Sequence, residues 1–228
     1  MSEQEQVEIP ADVPVMTLSN AVLFPGAILP LHIFEPRYRA MLEEVLGGNR
    51  IFAVAGLDDS SEANRENETP FPIAGIGVVR ACRKNADGTA NLILQGLARV
   101  RFERILSEEP FRRARVQPYP SQPGGPEELM RRVKPRLLDL IRTQIKLGAA
   151  IPREVLRFLR DTEGAEEALD LAISTLCASD DLRQELLETA EILARAERFS
   201  AYLGAEIRRL KLEKQLRGEL DEEDFDRN

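Results

Sequence analysis

Apolar positions follow two different rhythms along this chain of 228 residues. From residue 13 to about 120 they come in short runs broken by turn formers, which predicts strands; beyond Pro126 they recur every three or four positions, which predicts helices. Residues 13–18 form a β-branched run closed by Ser19-Asn20, and 28–33 form another. Between them, Phe24-Pro25-Gly26 reads as a turn, because proline presets one φ and glycine tolerates the next. A third run, 50–55, ends at Gly56. Residues 73–83 and 91–97 flank Asn85-Ala86-Asp87-Gly88, whose Asp-Gly pair is a strong hairpin signal. Residues 99–105 alternate charged side chains with Val100, Phe102 and Ile105, and 112–116 close the region. Many short strands with turns between them predict a closed or nearly closed β-barrel.

One helix interrupts this half. Pro36 suits a first helical position, where its missing N–H costs nothing. Tyr38, Met41, Leu42, Val45 and Leu46 then share one face, and Gly47-Gly48 ends the run. Residues 58–69 are polar without periodicity and predict a long exposed loop.

The stretch 118–126 holds four prolines and two glycines and reads as a linker. After it, Leu129, Val133, Leu137, Leu138, Ile141 and Ile145 keep helical spacing, with Pro135 as a kink and Gly148 as a stop. Pro152 opens a second helix that Gly164 ends, and 166–178 form a third. Ser179 or Asp180 caps a fourth through Leu187. The last helix, 190–216, carries Ile192, Ala196, Phe199, Leu203, Ile207 and Leu210 on one stripe. Leu212 and Leu216 lie off it, the mark of a second buried face. The expected organisation is a disordered N-terminus (1–12), a β-rich part with one inserted helix (13–120), a helical bundle (121–217) and a frayed acidic tail (218–228). The fold class is α+β.

Composition removes several functions. Net charge is −8, from 31 Lys plus Arg against 39 Asp plus Glu, so bulk attraction to phosphate is missing. Aromatic residues make up 5% and tryptophan is absent, which leaves few platforms for stacked bases. His32 is the single histidine, which removes most histidine-based catalysis and metal chemistry. Cys82 and Cys177 are far apart and lack any CxxC, so neither a disulfide framework nor a zinc site is expected, and a reducing cytoplasm fits. No apolar run approaches a bilayer span, and residues 1–12 lack the order of a secretory signal.

Catalytic signatures are missing as well. There is no GxxxxGK[ST], no GxGxxG after a strand and no GxSxG. The five lysines, Lys84, Lys134, Lys146, Lys211 and Lys214, lie in hairpin or helix contexts that favour a solvated side chain over a desolvated base. The expectation is a chain without catalytic residues, cofactor or metal. Arg99, Arg101, Arg104, Arg112, Arg113 and Arg115 fall on two strands that can pair. A basic stripe of this kind can hold RNA, but the interleaved Glu103, Glu108 and Glu109 favour a salt-bridged outer sheet face.

The more unusual feature is apolar. Residues 24–39 crowd Phe24, Phe34 and Tyr38 together with Pro25, Pro30 and Pro36. Prolines interrupt sheet pairing, and rigid aromatic surface beside unpaired backbone suits the docking of an extended peptide. The competing reading is that Phe24, Leu31 and Phe34 seal the barrel around its helix.

At these residues the sequence resembles the N-terminal, substrate-binding domain of Lon ATP-dependent proteases, especially stand-alone relatives. The resemblance rests on Pro14-Val15-Met16-Thr17-Leu18, on Leu23-Phe24-Pro25-Gly26, on the run from Leu29 through Phe34-Glu35-Pro36-Arg37-Tyr38, and on Gly75-Ile76-Gly77-Val78-Val79. It continues through the Asp87-Gly88 hairpin into Leu94-Gln95-Gly96-Leu97-Ala98-Arg99-Val100-Arg101. It implies a PUA-like β pseudo-barrel followed by a helical bundle, and a role in holding protein segments. Lon's ATPase and Ser–Lys peptidase signatures do not occur in this sequence, so proteolysis is not carried over.

Two functional readings follow. The first is a non-enzymatic, cytoplasmic protein- and peptide-binding module. It would take unfolded or partly folded proteins and act as an adaptor or regulator in proteolysis or quality control, alongside a protease or chaperone. Phe24, Pro25, Leu31, Phe34, Arg37 and Tyr38 would form its peptide-binding site, and a homodimer would form through the last helix. The second is an RNA-binding regulator using the arginine strands.

Overall fold

The computed structural model describes residues 8–60 and 62–225, with side chains up to Gly218. Residues 1–7 of the expected disordered N-terminus and the last three of the acidic tail lie outside the described residues. The chain divides into two compact units: residues 1–121 with 173–190, and residues 122–172 with 191–228.

The first unit is a β-barrel. Strands β1 (Asp12–Leu18), β3 (Ile51–Gly56), β4 (Ile73–Lys84), β5 (Ala90–Ser107) and β6 (Arg113–Pro118) close into a ring in the order β5-β4-β3-β1-β6, with β6 pairing back onto β5. The β1–β3 pair is parallel and the others are antiparallel. Strand β2 (Ile28–Ile33) stands outside the ring and pairs with residues 90–95 of β5. Strand β5 carries β4 on one edge and, on the other, first β2 and then β6.

Alternation sorts the strand residues onto two faces. Val13, Val15, Ile51, Ala53, Ala55, Ala74, Ile76, Val100 and Ala114 fill the inside of the ring, a packing made of strands alone. Met16, Phe52, Val54, Leu92 and Leu94 point the other way, against helix α1 (Pro36–Gly47), which contributes Tyr38, Met41, Leu42 and Val45. Strand β3 is therefore buried along its whole length. Pro36 opens α1 as its composition predicts.

Three features of this unit differ from the sequence reading. Residues 99–105 are not a separate strand: β5 runs unbroken for 18 residues, and register shifts on β4 and β5 supply the bends that keep it in the barrel. The expected loop 58–69 contains a short helix, α2 (Glu62–Glu66), seated on a turn in which Asp58 accepts from the Ser60 N–H and from Asn64. No residue of α2 is buried, so it left no apolar periodicity to read. Finally, residues 173–190 cluster with the strands, although they continue the helical pattern. Helix α6 (Asp180–Glu188) is capped by Ser179, whose Oγ accepts from Leu182 N at 3.2 Å. It is tied to the barrel by Gln184, which donates to the Ile73 carbonyl.

The second unit is helical. It contains α3 (Glu127–Lys146, with Pro135 inside it), α4 (Arg153–Asp161), the start of α5 (Ala165–Leu176) and α7 (Ile192–Phe225). Helix α7 continues nine residues past the expected end at Leu216, since nothing in 217–225 breaks a helix except Gly218. Helices α3 and α7 pack through Leu137, Ile141, Phe199 and Leu203, and Gln144 reaches the Leu203 carbonyl. Arg195, wholly buried, pairs with Asp170 at 3.2 Å and Glu166 at 3.3 Å. Among the described residues, no helix is long and apolar enough to cross a membrane.

Candidate substrate-docking surface

The six residues singled out from sequence do not share one surface. Phe24 is fully buried. Its segment lies flat on the sheet because Gly75 and Gly96 have no side chains: a Cβ on Gly75 would overlap the Leu23 carbonyl oxygen, and one on Gly96 the Phe24 carbonyl oxygen. Two hydrogen bonds hold it there, from Gly26 N to Gly96 O and from Gly96 N to Ala27 O, both 2.9 Å. The turn at Pro25-Gly26 forms as expected, with Gly26 at φ 75° and Ala27 N bonded to Phe24 O. Tyr38 is also a core residue. Its hydroxyl donates to the Thr17 carbonyl at 2.9 Å and receives the Thr17 N–H at 3.2 Å. Both aromatics are corrected from docking surface to core.

Arg37 reaches the surface but is engaged. It donates to Glu35 at 3.0 Å and to Glu68 at 2.6 Å, and its guanidinium lies 4.7 Å from the Tyr38 ring centre. Bonding to Glu68 raises the Arg37 pKa further above its ordinary value, and the same bond holds the Glu68 carboxyl below its own. Arg37 thus clasps the start of α1 to the α2 loop. Pro25 and Leu31 are half-buried, with Leu31 turned toward the cluster under α1.

Phe34 remains, 61% exposed. Counting back from it by twos gives His32, Pro30 and Ile28, all exposed, whereas Leu29, Leu31 and Ile33 face the core. Ile28 is 56% exposed. The His32 and Phe34 rings stack with centroids 6.0 Å apart, and His32 Nδ1 is 2.9 Å from Asn91 Oδ1. Register extends this stripe across the sheet, from Pro30 opposite Ile93 to Ile93 opposite Ala81. The result is a shallow, largely apolar hollow of about 500 Å³ lined by Pro30, Ala81, Cys82, Arg83 and Ile93 among others. β2 ends the sheet order, so its far edge pairs with no described strand, and Pro30 removes one N–H from it. Ile28, Ile93 and Ala81 lie outside the residues that the sequence singles out; the signal for Ile28 is the two-residue period running back from Phe34.

The arginine strands do pair as β5 and β6, but most of the cations are committed locally. Arg99 is buried and donates to the Leu187 and Thr189 carbonyls and to Ser121. Arg112 holds Glu108 and the Glu68 carbonyl, Arg113 pairs with Glu44, Arg115 pairs with Asp12, and Arg101 lies over the Tyr119 ring. Of the interleaved carboxylates Glu108 takes part in these pairs, and the other acidic partners, Glu44 and Asp12, come from α1 and β1. Among the described residues, no group of three or more His, Cys, Asp or Glu side chains is placed to hold a metal ion.

The barrel thus carries an extra edge strand, β2, that displays apolar side chains. The chain belongs to the family of the ATP-dependent protease La (Lon) substrate-binding domain, whose model matches residues 12–204. It is 26% identical to the Lon protease of Desulfosudis oleivorans over 95% of this chain and 26% of that protein. It is 30% identical to Lon protease 2 of Herpetosiphon aurantiacus over 93% of this chain and 26% of that protein. The chain therefore spans about a quarter of the length of these curated relatives. In fold it is similar to the Lon N-terminal domain protein of Xanthomonas campestris, with a TM-score of 0.61 and 21% identity, covering 84% of this chain and 98% of that one. The N-terminal domain of Mycobacterium avium complex Lon protease gives a TM-score of 0.65 at 16% identity, covering 86% and 97%.

Proposed function

We propose that this chain recognises protein substrates by contact, receiving an extended, apolar segment of an unfolded polypeptide along β2 and over the hollow beside it. The observation that carries this reading is the exposure of Ile28 on β2 and of Phe34 just after it, beside an edge that pairs with no described strand. An extended segment can add backbone hydrogen bonds to the edge while alternate side chains settle among Pro30, Ile93 and Ala81. Leu31 contributes to the lining of the hollow, while Arg37 fixes the start of α1 through Glu35 and Glu68. The chain performs no bond-breaking itself; it serves proteolysis or quality control as an adaptor or regulator that presents the held segment to a protease or chaperone.

The test is capture of a permanently unfolded test protein by wild type, by Ile28→Ser/Phe34→Ser, and by Phe158→Ser, which removes an equally exposed aromatic from the helical unit. The double variant is expected to lose most of the capture while melting like wild type, and Phe158→Ser to keep it. Equal capture by all three removes the assignment. Self-association through α7 is proposed on a separate observation, the 57% and 49% exposure of Leu212 and Leu216. Light scattering at micromolar concentration is expected to give a dimer mass that falls to that of a monomer in Leu212→Glu/Leu216→Glu.

A further inference from the structure

At the foot of α6 the first unit holds a second recess, of about 400 Å³, at the small end of ligand pockets. Asp58 and Asp59 follow β3 at its rim, and Asp180 and Asp181 open α6 opposite them; no lysine or arginine is among the residues that line it. Asp58 is held in its charged form, its carboxyl drawn below the usual range by hydrogen bonds from Ser60, with Asn64 adding to the effect. Asp180 pairs with Arg183, so the uncompensated charge comes from the other three.

Acidity alone would describe many solvated surfaces. The second observation lies deeper. Gln184, 5% exposed, lines the same recess. Its Nε2 donates to the Ile73 carbonyl at 3.1 Å and to Glu188 Oε1 at 2.8 Å, and these two acceptors fix which way the amide faces. Its Oε1 is buried and accepts no hydrogen bond from any described residue. That oxygen lies beside Gly56 and Phe71, which line the same recess: a Cβ on Gly56 would be 3.3 Å from Gln184 Oε1 and 3.1 Å from the Phe71 ring. A buried acceptor left unpaired is costly, so the recess favours a ligand that brings a donor to it.

We infer that this recess binds a guanidinium group, the side chain of an arginine. A guanidinium is a planar fork of five N–H donors, weakly hydrated, with no acceptor. It can donate to Gln184 Oε1 and to the Asp59 and Asp181 carboxylates at the rim, with Phe71 beside it as an aromatic neighbour suited to a cation. A hard metal ion would need several charged oxygens converging on it, and among the described residues no group of three or more His, Cys, Asp or Glu side chains is placed to hold one. The recess shares no residue with the β2 stripe and its hollow, and the inference does not rest on that reading.

The test is a titration of isotopically labelled protein, followed by nuclear magnetic resonance, with three probes: a capped Ala-Arg-Ala peptide, the same peptide with neutral citrulline for arginine, and free arginine. The arginine peptide is expected to shift the Gly56 amide and the Gln184 side-chain amide, with no shift from the citrulline peptide. Asp59→Asn/Asp181→Asn, both on the exposed rim, should weaken binding about tenfold while leaving the rest of the spectrum intact. Tighter binding of the capped peptide than of free arginine assigns the recess to a protein's side chain; the reverse assigns it to the free amino acid. Equal shifts from the arginine and citrulline peptides, no shift at Gly56 and Gln184, or undiminished binding by the rim variant would overturn the inference.

Discussion

The turn segment at Phe24 and strand β2 are adjacent, similarly rich in proline and large apolar residues, and opposite in fate. Phe24 is sealed in the core, whereas Ile28 and Phe34 are displayed. Composition does not separate them. Backbone approach does: Gly75 and Gly96 clear a floor on which the Leu23–Phe24 backbone settles, while β2 meets its neighbour edge to edge and must show every second side chain to solvent. An aromatic cluster in a sequence is therefore evidence of a surface only once the period of its strand, and the glycines of the sheet beneath, have been read.

The largest way to break this contrast is Gly96→Ala. Its Cβ would overlap the Phe24 carbonyl oxygen, and both bonds that staple the turn to β5 involve Gly96. A loss beyond about 4 kcal/mol, or no folded protein, is expected on denaturant titration; near wild-type stability would show that the turn can lift from the sheet without cost. Next comes the paired comparison Phe24→Ala against Phe34→Ala. The first is expected to cost about 3–5 kcal/mol through cavity formation and the second under about 0.5 kcal/mol. Comparable losses would place both rings in one environment.

The smallest effect concerns Arg37, the residue tied down between the two regions. Glu68 has its folded-state pKa depressed by Arg37, so its contribution is present above the unfolded carboxyl pKa and is lost as pH falls through the folded value. Both partners are more than a third exposed, which limits the effect to under about 1 kcal/mol. Glu68→Gln should flatten that part of the acid-side stability curve and change little at neutral pH. An unchanged curve would show that the clasp adds nothing to stability.

Much of the fold was legible because local signals agreed with it. Pro36 and the stripe from Tyr38 to Val45 marked α1, Asp87-Gly88 marked the β4–β5 hairpin, and Ser179 marked the start of α6. What escaped was set by tertiary pairing. The continuity of β5 depends on bulges that leave no turn residue behind, and the membership of residues 173–190 depends on what the helix packs against rather than on its own period. The proposed docking surface was half legible. The segment stands out by composition, but the burial of Phe24 and Tyr38 does not, because it comes from glycines far along the chain and from the Thr17 backbone. Gly75, Gly77 and Gly96 inside predicted strands were the clue, since glycine there often marks the close passage of another backbone.

Within the ring every strand is held by two ladders, with β2 as a third on β5, whereas β2 is held by one, to the first residues of β5. Peeling β2 away breaks that one ladder and leaves the ring's own pairing closed, so its amides should exchange with solvent well before those of β4 or β5. The strand that would meet a client is thus the one able to loosen and re-form around it, on a barrel that stays shut behind.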